Sequence, residues 1–436
     1  MGLDARATLA PASLRAVRPV ELVMVGAGNR GHLAYGGFAE RNPDLAKFVA
    51  VVEPDDGRRA RFANAHAISA ERQFRSWEEI AGRSPLAPAL INATLEREHR
   101  ASTLGLLAAG YEMLLEKPIA PTAGECLEIA GAAESHGRLL QIAHVLRYAP
   151  FFLAIREIIT ADRLGAIVSV DWRENLIYWH FAHSYVRGNW GNTKRASPMI
   201  LTKCCHDLDL LVWMFGRCEW LSSSGSLTHF TRDAVGPEIP ERCTDGCPIA
   251  ETCPYFAPRV YLDRLRENPA SFAVAAVTLD RTPEGVMRAL ETGPYGRCVY
   301  RSDNDAVDHQ VVLMRFAGGL SVSLTMQGSS HLEGRTIRID GTRATLLANE
   351  ARAEIEIHDH RTGRMELITR PRGVGGHGGG DDGLMRAFVA AIDGDRASVL
   401  TSAREAVASH LMAFAAEEAR LSGEGVDLER YRRSLS

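Results

Sequence analysis

Three glycines near the start of the chain have the spacing of a phosphate-binding turn. Gly26, Gly28 and Gly31 form a G-x-G-x-x-G pattern, which follows the apolar run VELVMV and opens a stretch of helical character. Glycines at this spacing allow a tight turn, close approach of a pyrophosphate and packing of helix on strand. The pattern therefore predicts a dinucleotide site that includes Asn29 and Arg30. The alternative is a tight strand–helix turn without a ligand.

An acidic residue, Glu53, ends the next predicted strand, 27 residues after the first glycine. Its carboxylate would accept hydrogen bonds from the adenosine ribose and would repel a 2′-phosphate. We therefore expect NAD rather than NADP as the cofactor. Arg58 and Arg59 lie close enough in the sequence to keep NADP open.

The elements that must position these residues alternate between strand and helix over residues 19–148. This alternation predicts an α/β fold with a doubly wound parallel sheet, a Rossmann domain. Residues 1–18 are predicted to be an N-terminal arm. Over residues 149–436, runs of strands without intervening helices predict a second α/β domain with an open, mostly antiparallel sheet.

Two helix starts in the second domain can be predicted from capping residues. Ser197, followed by a proline, is expected to cap one helix. The glycine-rich stretch GGHGGGDDG is expected to be a linker that ends with Asp381 or Asp382 as the cap of another. Contact of its His377 with the substrate is the alternative.

Several short motifs occur in the order found in a known family of oxidoreductases. They are the glycine turn, INAT at 91–94, His99, the triplet EKP at 116–118 and the later segment HDLD at 206–209. Together they resemble the Gfo/Idh/MocA family over about residues 19–420. The resemblance implies a Rossmann domain followed by a C-terminal α/β domain, oxidation or reduction of sugars and cyclitols with NAD(P), and assembly as homodimers or homotetramers.

The resemblance also assigns roles to individual residues. It places Lys117 beside the nicotinamide, where it binds the reacting oxygen, and makes His206 the general acid/base. It assigns Thr94, His99 and Glu116 to the cofactor site. The chemistry agrees, because removing a hydride from a carbinol needs a base for the hydroxyl proton and a cation for the developing alkoxide. The alternatives are a surface lysine paired with Glu116 and a histidine satisfied within the core.

One position departs from the family pattern. Thr202 stands four residues before His206, where relatives often have aspartate, and Lys203 stands three residues before it. On one helix, Lys203 and His206 would share a face. We expect a catalytic role in which Lys203 lowers the pKa of His206 or holds a substrate hydroxyl. The alternative is an ion pair between Lys203 and Asp207.

The segment before this helix, LIYWHFAHSYVRGNWGNTKRASP, is rich in aromatic and cationic side chains. Aromatic faces cover sugar C–H surfaces, whereas histidine and arginine bond hydroxyl groups, and two adjacent cations could bind an anionic substituent. A carbohydrate pocket is predicted; a packed, partly buried loop is the alternative. The predicted substrate-binding residues are Trp179, His180, His183, Tyr185, Arg187, Trp190, Lys194 and Arg195.

Three cysteines are clustered in ERCTDGCPIAETCPY, within an insertion predicted at about residues 231–266. Cys243, Cys247 and Cys253 could supply three of the four ligands of a structural zinc ion. His229 is predicted as the fourth ligand, and Cys218 is the second choice. An iron–sulfur cluster is an alternative whose usual spacings differ. A disulfide is not expected without a secretion signal.

Composition and charge limit the partners. The 436 residues include 50 basic and 54 acidic side chains, a net charge of −4, so neither nucleic acid nor an anionic membrane is expected as a partner. No apolar run reaches about 18 residues. The first 17 residues contain no apolar core of the signal-peptide type. We therefore expect a soluble, cytoplasmic protein with a small carbohydrate as its partner.

Three functions are compatible with these patterns. The first is an NAD-dependent oxidoreductase that acts on a carbinol carbon of a sugar, glycoside or cyclitol through Lys117 and His206. The second, implied by some relatives, is an NAD-dependent glycoside hydrolase that acts by transient C3 oxidation, elimination, hydration and re-reduction, including on an anionic, for example sulfonated, sugar glycoside. The third is a non-catalytic NAD-binding regulator, which Lys117 and His206 argue against.

Overall fold

The apolar run after Pro19 forms the central strand of a parallel sheet. The computed structural model describes residues 18–435, so all but the last residue of the predicted arm lies outside the described residues. Strand β1 (Val20–Val25) pairs in parallel with β2 (Ala46–Val52) and β4 (Ala89–Asn92). The sheet has the order β3-β2-β1-β4-β5-β6, which confirms the predicted Rossmann arrangement. Its remaining strands are β3 (Gln73–Phe74), β5 (Glu112–Leu115) and β6 (Leu140–Ile142).

Helices cover both faces of this sheet, which explains why its strands are apolar throughout. The glycine turn leads into a π-helix over Arg30–Gly36. The side chains of Asp55 and Thr122 cap the helices that follow them. The helices of this half are α1 (Gly37–Arg41), α2 (Asp56–Ala65), α3 (Glu78–Ala81), α4 (His99–Ala108) and α5 (Ala123–Ser135).

The second half is built on a nine-stranded sheet in the order β14-β13-β12-β11-β7-β10-β9-β8-β15. Its longest strand, β7 (Ile167–Ile177), pairs in parallel with β10 and antiparallel with β11. The other pairs are antiparallel, so the predicted mostly antiparallel sheet is confirmed. The remaining strands are β8 (Cys218–Ser226), β9 (His309–Phe316), β10 (Ser321–Ser330), β11 (Gly334–Gly341), β12 (Ala344–Asn349), β13 (Glu354–Asp359), β14 (Met365–Thr369) and β15 (Val426–Asp427).

The helices of this half pack on one face of the sheet or lie between β8 and β9, in residues 227–308, which are called the insertion below. None of the helices within residues 18–435 has the length and apolar character that crossing a bilayer would require. The helices are α6 (Pro150–Thr160), α7 (Tyr178–Phe181), α8 (Met199–Thr202), α9 (Cys205–Phe215), α10 (Ala257–Glu267), α11 (Phe272–Val277), α12 (Pro283–Thr292), α13 (Gly380–Ile392), α14 (Ala403–Ser422) and α15 (Leu428–Ser434).

Both predicted caps are wrong. Helix α8 begins after Pro198, has no side-chain cap, and ends after a single turn. Lys203 and Cys204 separate it from α9, so Lys203 and His206 do not lie on one continuous helix. Helix α13 begins after Gly379, which adopts φ +99° and has no side chain to cap with. Asp381 and Asp382 lie within its first turn, where arginines pair with them.

Helix α14 joins the two halves. Ala403, Ala406 and Leu411 belong to the same apolar core as one face of the Rossmann sheet. The Nε2 atom of His410 lies 2.9 Å from the main-chain nitrogen of Ile119. This helix therefore fixes the segment after β5, which carries Lys117, against the second domain.

Candidate active site

The glycine turn has the geometry that its spacing predicts. Gly26 adopts φ +88°, and a Cβ atom there would lie 2.6 Å from the main-chain oxygen of Ala93. A Cβ atom on Gly31 would collide with the carbonyl of Gly26, whereas one on Gly28 would meet nothing within 4 Å. The first and third glycines are therefore required by the turn, and the second leaves open space along it. Such a cradle fits the pyrophosphate of a dinucleotide.

Glu53 lies at the carboxyl end of β2, directly beside this turn. Its carboxylate is buried and accepts hydrogen bonds from the main-chain nitrogens of Ala27 at 2.8 Å and Asp55 at 3.1 Å. Each oxygen keeps a further lone pair for a ribose hydroxyl. Arg59 donates to the carbonyl oxygen of Glu53 at 2.7 Å and pairs with Asp56. This arginine is thus already engaged and is poorly placed to receive a 2′-phosphate.

The two residues inside the turn make contacts that the sequence did not predict. The side chain of Asn29 donates to the carbonyl oxygen of Phe272, 3.4 Å away in the insertion. Arg30 was predicted to bind the cofactor, but its guanidinium binds Glu116 at 2.6 Å and Asp381 at 3.0 Å. Arg30 therefore links the Rossmann domain to α13.

Thr94 and His99 lie beside the EKP segment (residues 116–118) and make the contacts that fix the end of β4 near it. The hydroxyl of Thr94 donates to Asn92 at 2.8 Å. The ring nitrogens of His99 lie 2.8 Å from the carbonyl oxygen of Pro118 and 3.1 Å from that of Thr94. Burial lowers the pKa of His99. His99 is thus a neutral ring between the end of β4 and the segment carrying Lys117, and its single N–H donates to one of these two carbonyls.

Glu116 and Lys117 follow β5, where the Lys117–Pro118 peptide bond is cis. Glu116 is buried and accepts hydrogen bonds from Tyr35 and Arg30, each at 2.6 Å. Burial acts to raise the pKa of Glu116, but Arg30 and the Tyr35 hydroxyl outweigh it, so its pKa is lowered and it stays charged. The ammonium of Lys117 donates to the main-chain oxygen of Thr202 at 2.7 Å. A residue of the first domain thus reaches the helix pair that carries His206.

His206 is buried at the start of α9, between the rings of His144 and His377. One ligand atom each of His206, His144 and Cys205 lie within 4.8 Å of one another, and the rings of His206 and His377 lie 5.8 Å apart. Burial, and after it the charge of Lys117, lower the pKa of His206 well below its usual value. The imidazole is therefore neutral near pH 7 and can accept a proton.

His144 and His377 are functional candidates that the sequence reasoning missed or ranked second. His144 follows β6, and the carboxyl ends of parallel strands converge on one edge of a sheet, so its position could have been inferred. His377 lies on the glycine-rich segment, and its Nδ1 atom is 3.1 Å from Asp381. No local pattern in that segment indicates that it reaches His206.

Lys203 binds two carboxylates from other elements. Its ammonium lies 3.1 Å from Glu174 on β7 and 3.7 Å from Glu333. The alternative ion pair with Asp207 is wrong, because Arg335 binds Asp207 at 2.9 Å. Burial acts to lower the pKa of Lys203, but Glu174 and Glu333 outweigh it, so the pKa is raised. Lys203 is therefore a fixed cation and not a base.

Glu174 has an unusual pKa among the residues that contact Lys203. It is fully buried, and this burial raises its pKa to about 7 although the charges of Arg335 and Lys203 act to lower it. Glu333 lies nearer the surface, where the Nδ1 atom of His180 is 2.9 Å from it. Lys203 thus connects a buried carboxyl group with a more exposed pair of side chains.

The predicted carbohydrate loop divides into an outer and an inner set. Trp179 and His180 are partly buried beside Phe272, while Trp190 and Lys194 are exposed. Arg195 pairs with Asp303. Tyr185 is buried, and its ring stacks on Phe181.

His183 and Arg187, predicted to bind substrate, point into the insertion instead. The Nδ1 atom of His183 lies 2.9 Å from the hydroxyl of Tyr261, and its ring stacks on Tyr295. Arg187 donates to the carbonyl oxygen of Tyr255 at 2.7 Å. His183 and Arg187 are four residues apart in the π-helix Ala182–Arg187, close to one turn, so both leave it on the same side and are buried. The packed-loop alternative therefore holds for them.

The predicted zinc ligands Cys243, Cys247, Cys253 and His229 do not converge as a set. Within residues 18–435, no three of them place their ligand atoms within 4.8 Å of one another. His229 packs on Phe230 and lies 3.4 Å from the hydroxyl of Tyr300. The second choice, Cys218, lies on β8, where its thiol faces the carbonyl of Trp220.

Comparison with known proteins gives two matches to family models. Residues 20–144 match an oxidoreductase family with an NAD-binding Rossmann fold, and residues 156–428 match the C-terminal α/β domain of the same oxidoreductase family. Together these matches span most of the chain.

The sequence identity between this chain and individual known proteins is low. The chain is 26% identical to a putative oxidoreductase, YteT, of Bacillus subtilis (strain 168), over 68% of this chain and 70% of that protein. It is 26% identical to an inositol 2-dehydrogenase of Ralstonia nicotianae, over 43% of this chain and 52% of that protein. A levoglucosan dehydrogenase, solved with NADH and levoglucosan, has a TM-score of 0.68 at 16% identity, over 94% of this chain and all of that one (100%), which shows a shared fold.

Proposed function

The chain belongs to the Gfo/Idh/MocA family of NAD-binding oxidoreductases, and from this premise we propose that it transfers a hydride between NAD and a carbinol carbon of a sugar, glycoside or cyclitol. The observation that carries the proposal is the bond from Lys117 to Thr202, which brings an ammonium to the buried, neutral imidazole of His206. Similarity to an inositol 2-dehydrogenase and to a levoglucosan dehydrogenase supports the substrate class.

The first domain supplies the proposed cofactor site. Gly26, Gly28 and Gly31 would hold the pyrophosphate, and Glu53 would bind the adenosine ribose. When bound, the nicotinamide accepts or donates the hydride. The carboxylate of Glu53 and the prior engagement of Arg59 favour NAD over NADP.

His206 would transfer the proton, and Lys117 would stabilise the reacting oxygen. In the oxidation direction, the neutral imidazole of His206 takes the proton of the reacting hydroxyl group. Lys117, which uses one N–H on Thr202, keeps two N–H groups with which to stabilise the developing alkoxide. In the reduction direction the protonated ring of His206 returns the proton, and Lys117 binds the oxygen that receives it.

Polar and aromatic side chains of the segment before α8, with Lys203 and Glu333, would bind the remaining hydroxyl groups of the substrate. Lys203, Glu333 and His180 form a connected polar group, and Trp179 and Trp190 offer aromatic faces for the C–H surface of a sugar. Lys194, an exposed residue that follows the aromatic part of the same segment, suits an anionic substituent. We assign substrate positioning to these side chains, and to Lys203 in particular.

A glycoside hydrolase acting through transient C3 oxidation is a second candidate. Elimination at the carbon next to a ketone requires a base besides His206. Glu174, whose pKa is about 7, lies 3.1 Å from Lys203 and supports this candidate, because it can take up a proton near neutral pH. Addition of water and return of the hydride would complete a reaction without net oxidation.

One experiment separates the candidates. The purified protein is incubated with NAD and, in turn, levoglucosan, myo-inositol and aryl glycosides, while reduced cofactor and released phenol are both followed. Net accumulation of NADH supports the dehydrogenase, and release of phenol without net NADH supports the hydrolase. Neither signal, with cofactor binding intact, would contradict both and leave a non-catalytic NAD-binding protein.

A homo-oligomer remains part of the proposal. The outer face of the second sheet exposes apolar side chains, including Val311 and Leu313, of which Leu313 is 53% exposed. An exposed apolar face on a sheet suits contact with another copy of the chain. Light scattering of the wild type and of Leu313→Asp would test this, since the proposal expects the variant to dissociate.

A further inference from the structure

A buried arginine at the base of the insertion makes no ion pair. Arg187 is 2% exposed, and its guanidinium donates to the carbonyl oxygens of Arg297 and Tyr255, each at 2.7 Å. Among the described residues, no carboxylate lies within ion-pair distance of it. Because a buried charge is costly unless it is paired, the surroundings of Arg187 suit an anionic group.

One thiol group contacts this arginine, and a second cysteine follows one of the residues that it binds. Its Nη2 atom lies 3.5 Å from the sulfur of Cys243, and the carbonyl that accepts from its Nε atom belongs to the residue before Cys298. Both cysteines are buried. A thiolate accepts hydrogen bonds from a guanidinium, so deprotonated cysteines would provide the negative charge that this position suits.

Cys243 and Cys298 are brought together by a short antiparallel pairing. Two main-chain hydrogen bonds of 2.9 Å, one from each cysteine nitrogen, flank the bridge between Arg242 and Arg297. Side chains alternate between the two sides of such a pair. The two cysteines therefore lie on the same side, opposite to the two arginines, as diagonal neighbours.

Cys247 and Cys253 lie in the turns that follow. The main-chain nitrogen of Cys253 donates to the carbonyl of Ile249 at 2.9 Å. The Nη2 atom of Arg187, which contacts the sulfur of Cys243, also donates to the carbonyl oxygen of Tyr255, two residues after Cys253. One guanidinium thus holds both ends of the segment that carries these three cysteines. Cys247 and Cys253 are only partly buried, which leaves a path for a metal ion.

The chain around these cysteines has little regular secondary structure. Between β8 and α10, the described chain contains only one short 3₁₀ turn (Arg232–Ala234), and the insertion has a core of its own with eight buried members. One of these members is Cys243. Small cores with little regular structure commonly depend on cross-links such as a metal ion.

We propose that Cys243, Cys247, Cys253 and Cys298 bind a structural zinc ion. Zinc binding would release the four thiol protons and leave a centre with a net charge of −2, one unit of which Arg187 offsets. Four sulfur ligands at about 2.3 Å from zinc lie about 3.8 Å apart. No three of these sulfurs lie within 4.8 Å of one another in the described structure, so binding would draw them inward. Cys298 takes the place assigned earlier to His229.

Such a centre would also act on the proposed substrate loop. Arg187 ends the π-helix Ala182–Arg187, and the carbonyl of Arg187 accepts from Arg297 at 3.1 Å. The zinc ion would therefore fix the inner half of this loop against the insertion. The proposal does not depend on which reaction the protein catalyses.

Metal analysis and X-ray absorption test the proposal. Protein purified without chelators is expected to carry about one zinc per chain. Cys298→Ser is expected to carry less than about 0.2, while the matched controls Cys218→Ser and His229→Gln keep the wild-type content. Less than about 0.3 zinc in the wild type, or unchanged zinc in Cys298→Ser, would overturn it.

The wild type alone gives a second test, which does not require the variant to fold. The zinc absorption edge should report four sulfur neighbours at about 2.3 Å. A shell of three sulfurs and one nitrogen would assign the fourth ligand to a histidine and overturn the proposal. Iron with acid-labile sulfide in place of zinc would also overturn it.

Discussion

The ammonium nitrogen of Lys117 lies 2.7 Å from the main-chain oxygen of Thr202. Lys117 follows a strand of the Rossmann sheet, whereas Thr202 ends α8 in the second domain. Because α9 starts three residues later and carries His206, this bond sets the position of the ammonium relative to the imidazole. The two domains thus each provide one of the two groups proposed to act on the reacting oxygen.

The pH dependence of oxidation should reflect the lowered pKa of His206. The base must be neutral, and burial and Lys117 hold its pKa well below the usual value of 6.5. We expect kcat/KM to stay level as the pH falls from 8 to about 6.5 and to decline only below that. His136→Gln, which changes an exposed histidine, should leave the profile unchanged. An acid limb centred at or above pH 6.5 would contradict this assignment.

Glu53→Gln should weaken NAD binding more than it slows the reaction. The variant keeps the shape of the side chain but loses the charge that binds the Ala27 nitrogen and that is proposed to bind the ribose hydroxyls. We expect the KM for NAD to rise about tenfold, with a smaller change in kcat and a reduced preference over NADP. Glu21→Gln, at an exposed position on β1, is the control. Steady-state kinetics with both cofactors give the answer, and an unchanged KM for NAD would exclude the proposed contact.

Lys203→Met should raise the KM for the substrate and destabilise the protein. The substitution leaves Glu174 buried with Arg335 as its remaining cation, and loss of one partner of a buried pair costs up to about 3 kcal/mol. The double variant Lys203→Met, Glu174→Gln should regain stability but not substrate affinity. Lys47→Met, at an exposed position on β2, is the control. Turnover and KM within twofold of wild type in Lys203→Met would rule out a role in the reaction.

The fold could be predicted because its signals are local. The apolar run before Gly26, the acidic end of β2 at Glu53 and the alternation of strands with helices each depend on neighbouring residues. The order of motifs likewise identified Lys117 and His206 as a pair. The nucleotide-binding half and the candidate catalytic residues were therefore predictable from the sequence.

Contacts between residues far apart in the sequence explain why the positions of Lys203, Arg187 and Cys298 could not be predicted. The sequence predicts that Lys203 shares a helix face with His206. Helix α8 instead ends at Thr202 after one turn, and Lys203 pairs with Glu174. Arg187 lies in a segment whose composition suits a substrate-binding loop. The insertion, which begins dozens of residues later, nevertheless buries it. Cys298 lies far from the other cysteines in sequence, so spacing could not group it with them. Such contacts depend on the packing of separate segments.

Asp381→Asn should destabilise the protein in a pH-dependent manner. Burial acts to raise the pKa of Asp381, but Arg30 and His377 outweigh it, so its pKa is lowered in the folded state. A carboxyl group with a lowered folded-state pKa contributes stability above its unfolded value, about 3.9, and loses it as the pH falls further. The wild type should therefore unfold at a higher temperature than the variant at pH 7.

The difference in unfolding temperature should shrink below about pH 4. Asp382→Asn is the control, since its partner Arg41 is more exposed and its effect should be smaller. Thermal unfolding at pH 7 and pH 3.5 measures both. Equal destabilisation of Asp381→Asn at the two pH values would contradict an ionic role.

The most direct test of the account is hydride transfer by Lys117→Met and His206→Asn. Wild type, both variants and the exposed-lysine control Lys47→Met are mixed with NAD and whichever of levoglucosan, myo-inositol or an aryl glycoside the wild type turns over, and the catalysed rate is recorded beside NAD affinity. The account predicts that both variants lose at least about 100-fold in rate while still binding NAD, and that Lys47→Met behaves as wild type. Rates within twofold of wild type in either variant would contradict it.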